Sequence, residues 1–296
     1  MKGYQALRES AAWIDLSGRG KIRVTGEDRA RLLHAMTTND VQNLKPGDAC
    51  YAFFLNAQGR ILADVNILCF EDHFLLDTEP ETARKVFEHL DKFIIADDVT
   101  LEDSTAELAS VAVEGPAANG VPAPAANAFP RLTFTGAEGW FAICPAAEKD
   151  ALAAALTAAG VAEADLEAAN VVRIENGKPR YGDDISERFL AQETNEMRAL
   201  HFSKGCYLGQ EIVERVRSRA QIHRRLMPVH LETDQPPAAG SKLQAGGKDA
   251  AEITSAAYSP ALGKTVALAY VRIDLKHGDA VTLGDVQGVV RAPRAQ

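Results

Sequence analysis

Polar and apolar residues alternate at 21–25, Lys-Ile-Arg-Val-Thr, the spacing of a strand with one buried face. Gly26-Glu27-Asp28 follows and opens a helix to about Met36, because acidic residues suit the positive end of the helix dipole. Residues 51–55, 61–69 and 74–76 read as successive strands, with turns at Asn56-Ala57-Gln58-Gly59 and Glu71-Asp72-His73. Ala83, Val86, Phe87 and Leu90 share one face of a helix predicted over 80–93. Further strands are predicted near Ile94, over 108–113 and over 132–134. The order is a mixed α+β pattern, not a regular βαβ alternation.

Two punctuated stretches divide the chain. Residues 115–130 hold prolines at 116, 122, 124 and 130 among alanines and glycines, and read as a surface excursion or linker. An Ala-rich helix is expected over 147–159. The β-branched run Val171-Val172-Arg173-Ile174-Glu175 reads as a strand carrying Arg173 and Glu175 on one face, ahead of an Asn176-Gly177 turn. After 233–240, glycines at 246, 247, 263, 278, 284 and 288 break short apolar runs, which points to a small β-barrel or sandwich.

Composition narrows the function classes. The 296 residues suit about two domains at roughly 150 residues each. A formal charge of −9 disfavours a nucleic-acid coat, and neither a leader-like apolar segment nor a membrane span is visible, so a cytoplasmic protein is expected. The four cysteines, at 50, 69, 144 and 206, form no C-x-x-C pair, and the seven histidines show no H-E-x-x-H spacing. Neither a disulfide scaffold nor a metal site is expected. Cys50, Cys69 and Cys144 stand in apolar, strand-like context and read as core thiols. Walker, G-x-S-x-G and G-x-G-x-x-G patterns are missing, which removes the commonest NTPase, hydrolase and dinucleotide readings.

Three features could carry chemistry. Lys204-Gly205-Cys206-Tyr207-Leu208-Gly209-Gln210-Glu211 is a low-bulk loop running into a helix, with Glu211 and Arg215 paired four residues apart. A thiolate at Cys206 would be stabilised by the helix end and by Lys204; the alternative is a packed thiol in a turn. Glu175, ending its run, needs a donor pair. An arginine (Arg173 or Arg180) or the N3–H and 2-amino group of a pterin would supply one. Arg215, Arg217, Arg219, His223, Arg224 and Arg225 form a basic cluster that could meet nucleic acid, an anionic ligand tail or an acidic partner. Interleaved aromatics are missing, which disfavours single-stranded nucleic acid.

The 204–215 segment resembles the K-G-C-[YF]-x-G-Q-E-x-x-x-R signature of the YgfZ-type folate-binding proteins, relatives of the aminomethyltransferase (T-protein) of the glycine cleavage system. Supporting resemblances are Thr37-Thr38-Asn39-Asp40-Val41, Phe54 to Ile61, Glu114-Gly115-Pro116, Arg173 to Asp183, and Ser255, Ser259, Pro260, Gly263, Ala267, Tyr270 and Val271. The resemblance implies an α+β, aminomethyltransferase-like folate-binding body, with ferredoxin-like subdomains around a central cavity, over 1–231. Residues of about 48–114 would be inserted within it, and a β-barrel would follow over 232–296. It implies tetrahydrofolate, or a one-carbon-substituted folate, held by Glu175 at the pterin. Arg173, Tyr181, Asn39, Lys204, Gln210, Arg215 and Arg225 are candidate folate-binding residues. Cys206 is the candidate functional thiol and Asp64 the candidate acid–base group. The YgfZ branch further implies iron–sulfur cluster assembly or repair, client or assembly proteins as partners, and indirect support of tRNA thiomethylation. The transferase branch carries a paired Asp-Asp after its hairpin glycines, whereas Ala63-Asp64-Val65 keeps one acid. That departure and the cysteine motif favour a maturation factor over the alternative, a folate-dependent aminomethyl- or methyltransferase using Asp64. A third reading is an RNA-associated protein acting through the basic cluster.

Overall fold

The computed structural model describes residues 1–124, 127–130, 132–219 and 222–293. The body begins α1 (Tyr4–Glu9), β1 (Ala12–Asp15), β2 (Gly20–Thr25) and α2 (Arg29–Met36). Next come β3 (Ala49–Leu55), β4 (Ile61–Cys69), β5 (Phe74–Thr78), α3 (Ala83–Asp91) and β6 (Thr100–Asp103). It continues with β7 (Leu108–Glu114), β8 (Ala128–Pro130), β9 (Gly139–Pro145), α4 (Lys149–Ala158), β10 (Ala162–Ala164), α5 (Leu166–Glu175) and α6 (Gln210–Arg219). The last six strands are β11 (Arg224–Leu231), β12 (Lys242–Ala245), β13 (Lys248–Ser259), β14 (Lys264–Arg272), β15 (Ala280–Leu283) and β16 (Val286–Val290).

One five-stranded sheet has the order β10-β1-β7-β9-β8, and the other β3-β4-β5-β2-β6. The second lies in sequence between β1 and β7 of the first. The inserted unit therefore opens at β2, before residue 48, because β2 pairs antiparallel with both β5 and β6. Strand alternation gives each sheet a helix-packed face and an inner face. Ala52, Phe54, Ala63, Val65 and Ile67 turn to α2 and α3, whereas Leu68 and Leu75 pack against Ile14, Leu16 and Phe141 of the other sheet. β11-β14-β13-β12-β15-β16 close into a barrel. The barrel thus includes β11, upstream of the 233–240 stretch, and the boundary expected after Leu231 falls inside it.

Most predicted elements match within a few residues, and three do not. β6 stands at Thr100–Asp103 and β8 at Ala128–Pro130, instead of near Ile94 and at 132–134. The third, 171–175, is the last part of helix α5. Asp165 caps that helix by accepting the Ala168 N–H at 2.7 Å, and Leu166-Glu167-Ala168-Ala169 propagates it through the β-branched run. In the 115–130 excursion Ala118 and Phe129 are buried, so part of it joins the first sheet's packing. Positions 125 and 126 of that stretch, and 294–296 at the expected barrel end, lie outside the described residues. Among the described residues no helix is long and apolar enough to cross a membrane.

Candidate active site

The inner faces of the two sheets are apolar toward one end and polar toward the other. On β4 and its neighbours, Asp64, Asn66 and Asp77 share a face with Tyr51 of β3, since Tyr51 pairs with Asn66 and Asn66 with Asp77. Tyr51, Asp64 and Asn66 of this polar end line a narrow cleft whose opposite wall comprises Leu132, Phe134, Phe141 and Arg173. An outer recess of about 380 Å³ adjoins it, lined by Leu16, Pro80, Phe134 and Leu166, with Arg19, Glu79 and Arg180 common to both spaces.

Asp64 is the least satisfied group in the cleft. Tyr51 donates its hydroxyl to Oδ2 at 2.9 Å, while Oδ1 is buried with no hydrogen-bond partner among the described residues. Burial, then the negative charge of Glu79, pushes its carboxyl up to about 6, against the pull of Arg19. Glu79 takes the opposite course. Burial works to raise it too, but Arg19 and Arg180 together hold its carboxyl below the ordinary range. Arg19 contacts Asp77 at 2.9 Å and also Glu79, and Arg180 Nη2 lies 3.0 Å from Glu79. Two neighbouring carboxyls are therefore driven apart, one locked as an anion and one able to take or give a proton near neutrality.

Glu114 and Arg173 shape the facing wall. The Glu114 carboxylate accepts the Thr135 N–H at 2.8 Å and bonds the Phe134 N–H and the Thr135 hydroxyl, fixing the loop that carries Phe134. Arg173, 1% exposed, donates to Asn170, the Lys178 carbonyl, Asp183 and Asp184.

Of the candidates named from sequence, the cleft gathers Asp64 and Arg173. Residues two apart on a helix point to nearly opposite sides, so Glu175 turns away from Arg173, not onto the same face. It bonds the Tyr4 hydroxyl and lies 3.2 Å from Arg8, and neither Arg173 nor Arg180 is its ion partner. Asn39 spends its side-chain amide on the Tyr51 and Arg198 carbonyls, both at 2.8 Å. Lys204 donates to the His34, Thr37 and Asn39 carbonyls at 2.5, 2.6 and 2.6 Å, which uses all three ammonium hydrogens. Burial lowers its ammonium to about 8. These two residues tie the loops to the end of α2. Tyr181 is core, bonded to the Ile61 carbonyl at 3.3 Å. Gln210 begins α6, Arg215 pairs with Glu211 at 2.6 Å, and Arg225 donates to the Leu275 carbonyl; none of the three lines the cleft.

The loop before α6 docks on the β3–β4 hairpin. A Cβ at Gly209 (φ +85°) would stand 2.7 Å from the Asn56 carbonyl oxygen, and one at Gly59 (φ +69°) 2.7 Å from Ile212 Cβ. Both glycines therefore serve close approach. Tyr207 is buried there, Cys69 is also buried, Cys50 and Cys144 are half-buried, and Cys206 is exposed. Sequence reasoning missed Tyr51, Arg19, Glu79 and Arg180. Arg180 stood within a recognised block, but nothing in the pattern joined it to Glu79.

Comparison with known proteins agrees with this architecture. The GCVT N-terminal domain matches residues 2–129, and the glycine cleavage T-protein C-terminal barrel domain matches residues 224–293. The chain thus carries both domains of the aminomethyltransferase-like family, the GCVT domain and the C-terminal barrel. Among members of that family, an aminomethyltransferase of Streptomyces coelicolor is 29% identical, the match covering 96% of this chain and 85% of that one. One of Rubrobacter xylanophilus is 28% identical over 95% of this chain and 81% of its own. The crystal structure of the glycine cleavage system aminomethyltransferase T from Bartonella henselae superposes with a TM-score of 0.84 at 22% identity, covering 98% of this chain and 87% of that one. The fold is the aminomethyltransferase fold.

Proposed function

We propose that this protein is a tetrahydrofolate-dependent one-carbon transferase, of the aminomethyl- or methyl-transferring kind, in which Asp64 handles the proton. The observation that carries this reading is the direction of β4. Ala63 and Val65, the neighbours of Asp64, are 0% and 1% exposed and face α2 and α3. A second carboxylate at either position would point away from the cleft, so keeping one acid removes nothing from the site. The sequence argument against transfer therefore loses its basis, and the relatives named aminomethyltransferase favour transfer.

The cleft fits a folate in two respects. Asp64 Oδ1 is a buried acceptor with no donor among the described residues, suited to an N–H of the ligand. The adjoining recess, about 380 Å³ and walled by Leu16, Pro80, Phe134 and Leu166, falls in the usual range for small-molecule sites and suits an aromatic ring system. Tetrahydrofolate, when bound, supplies nucleophilic nitrogens that carry the one-carbon unit. Asp64 accepts or returns a proton at Oδ1, Tyr51 orients that carboxyl through Oδ2, and Glu79 keeps its ionisation near neutral pH. Phe134 and the clamp on its loop shield the cleft from water.

A second reading rests on one observation: Cys206 is exposed on the docked loop while the other three cysteines are buried or half-buried. It is a YgfZ-type factor that binds folate and supports iron–sulfur client proteins through that thiol, and through them tRNA thiomethylation. Titration of tetrahydrofolate against wild type and Asp64→Asn, followed by intrinsic fluorescence, tests the folate site common to both. Wild-type binding weakened by roughly tenfold or more in the variant supports it, since a buried donor then loses its charged acceptor. Equal binding by both, or none by either, rejects it.

A further inference from the structure

Among the described residues the barrel supplies none to the lining of the cleft, yet it holds one that does, Arg173. β13 carries an irregularity where Ile253 pairs with Ala269 and Ser255 with Leu268, leaving Thr254 as an extra residue. Successive side chains of a regular strand face opposite sides, and a bulge breaks that rule. Here Ile253 stays in the barrel core, while the hydroxyls of Thr254 and Ser255 both reach Asp184 Oδ1, at 2.5 and 2.6 Å. The Leu268 carbonyl, at 3.2 Å, is the poorer acceptor for Thr254. Asp184 Oδ2 accepts Arg173 Nη1 at 2.6 Å and the Arg180 N–H at 3.1 Å. Asp184 is 0% exposed and Arg173 1%, so this is a buried ion pair. Such a pair is tolerated only when further hydrogen bonds offset the desolvation of both charges. The bulge provides two of them, on the oxygen that Arg173 does not use.

We propose that Thr254, Ser255 and Asp184 are positioning residues through which the barrel fixes the Arg173 guanidinium on the wall of the cleft. Without the two hydroxyls, Asp184 Oδ1 has no donor, the carboxylate turns to find one, and Arg173 loses its shortest contact. What Arg173 faces rests on the folate reading; how it is held is independent of any ligand.

The test compares wild type, Thr254→Val/Ser255→Ala and the hydroxyl-retaining Thr254→Ser/Ser255→Thr, each folded and well below its melting temperature. Phenylglyoxal labelling is followed by mass spectrometry at Arg173 and at Arg19, a buried arginine of the same cleft held by other partners. Tetrahydrofolate Kd is measured in parallel. In Thr254→Val/Ser255→Ala, Arg173 labels roughly tenfold faster, Arg19 keeps its rate, and Kd weakens by roughly tenfold, while the hydroxyl-retaining variant behaves as wild type. Unchanged labelling at Arg173, or a rise shared equally by Arg19, overturns the relay, the latter because it reports general loosening. Wild type that binds no tetrahydrofolate overturns the folate reading instead, and the labelling ratio still decides the relay.

Discussion

Tyr51 donates to one oxygen of Asp64 at 2.9 Å, and the other oxygen of that carboxylate is buried with no partner among the described residues. The Tyr51 ring is held in turn, with the Arg198 guanidinium 4.6 Å from its centroid. An acid–base group thus has a fixed direction and one free valence. This bond favours the ionised form, so Tyr51→Phe raises the ionisation of Asp64 above its value of about 6. If Asp64 acts as a base, the acid limb of the kcat profile moves to higher pH by up to about one unit. An unmoved limb with normal folding contradicts the role given to Tyr51.

Asp64 also costs stability. Its carboxyl ionises near 6 in the folded chain against an ordinary value of 3.8, so the folded form holds the proton more tightly. That contribution is present below about pH 4 and is lost as pH rises through about 6, on the order of 3 kcal/mol in all. Asp64→Asn therefore raises Tm at pH 7 and brings little change at pH 4. Thermal melts at the two pH values check this, and a Tm difference independent of pH refutes it.

The two glycines of the 204–211 loop differ in what surrounds them. A Cβ at Gly209 meets the Asn56 carbonyl oxygen at 2.7 Å, whereas one at Gly205 (φ +83°) meets open space. Gly205→Ala costs about 1 kcal/mol for the left-handed backbone, and Gly209→Ala costs about 2–3 kcal/mol because the loop must lift from the hairpin. Equal losses in chemical denaturation contradict the docking described.

Four strands of the second sheet, β2 to β5, and a β-rich C-terminal unit were legible because alternation and glycine spacing are local, whereas β6 and the barrel's first strand β11 were not placed. Asp64 was legible as a residue, but its consequence was not, since one missing carboxylate matters only if its side chain faces the cleft. Helix α5 was misread because the three β-branched residues Val171, Val172 and Ile174 weighed more than the cap at Asp165, upstream of them. The same error put Glu175 beside Arg173. Asn39 and Lys204 carry ligand-like chemistry, yet they bind carbonyls, which no one-dimensional pattern distinguishes. Arg19 and Glu79 meet only through the β2–β5 register, in which Gly20 pairs with Thr78, and Arg180 joins them from beyond α5.

Glu175 offers a direct check on that correction. Its carboxylate serves Tyr4 and Arg8 where α1 meets the barrel, and the Ala261 N–H donates to the Tyr4 hydroxyl at 3.2 Å. Glu175→Ala is expected to lower stability by about 1–2 kcal/mol by leaving the half-buried donors Tyr4 and Arg8 unpaired, with tetrahydrofolate Kd unchanged in the folded protein. A large loss of affinity at unchanged stability would restore Glu175 as the pterin anchor.

The central claim, that Asp64 is the acid–base group of a one-carbon transferase, is tested most directly by one-carbon transfer to tetrahydrofolate from an aminomethyl or methyl donor. Wild type, Asp64→Asn and Cys206→Ser are compared at pH 7. Wild-type turnover that falls by about 100-fold or more in Asp64→Asn and persists in Cys206→Ser is the predicted result. No turnover by wild type, or turnover retained in Asp64→Asn and lost in Cys206→Ser, would contradict it.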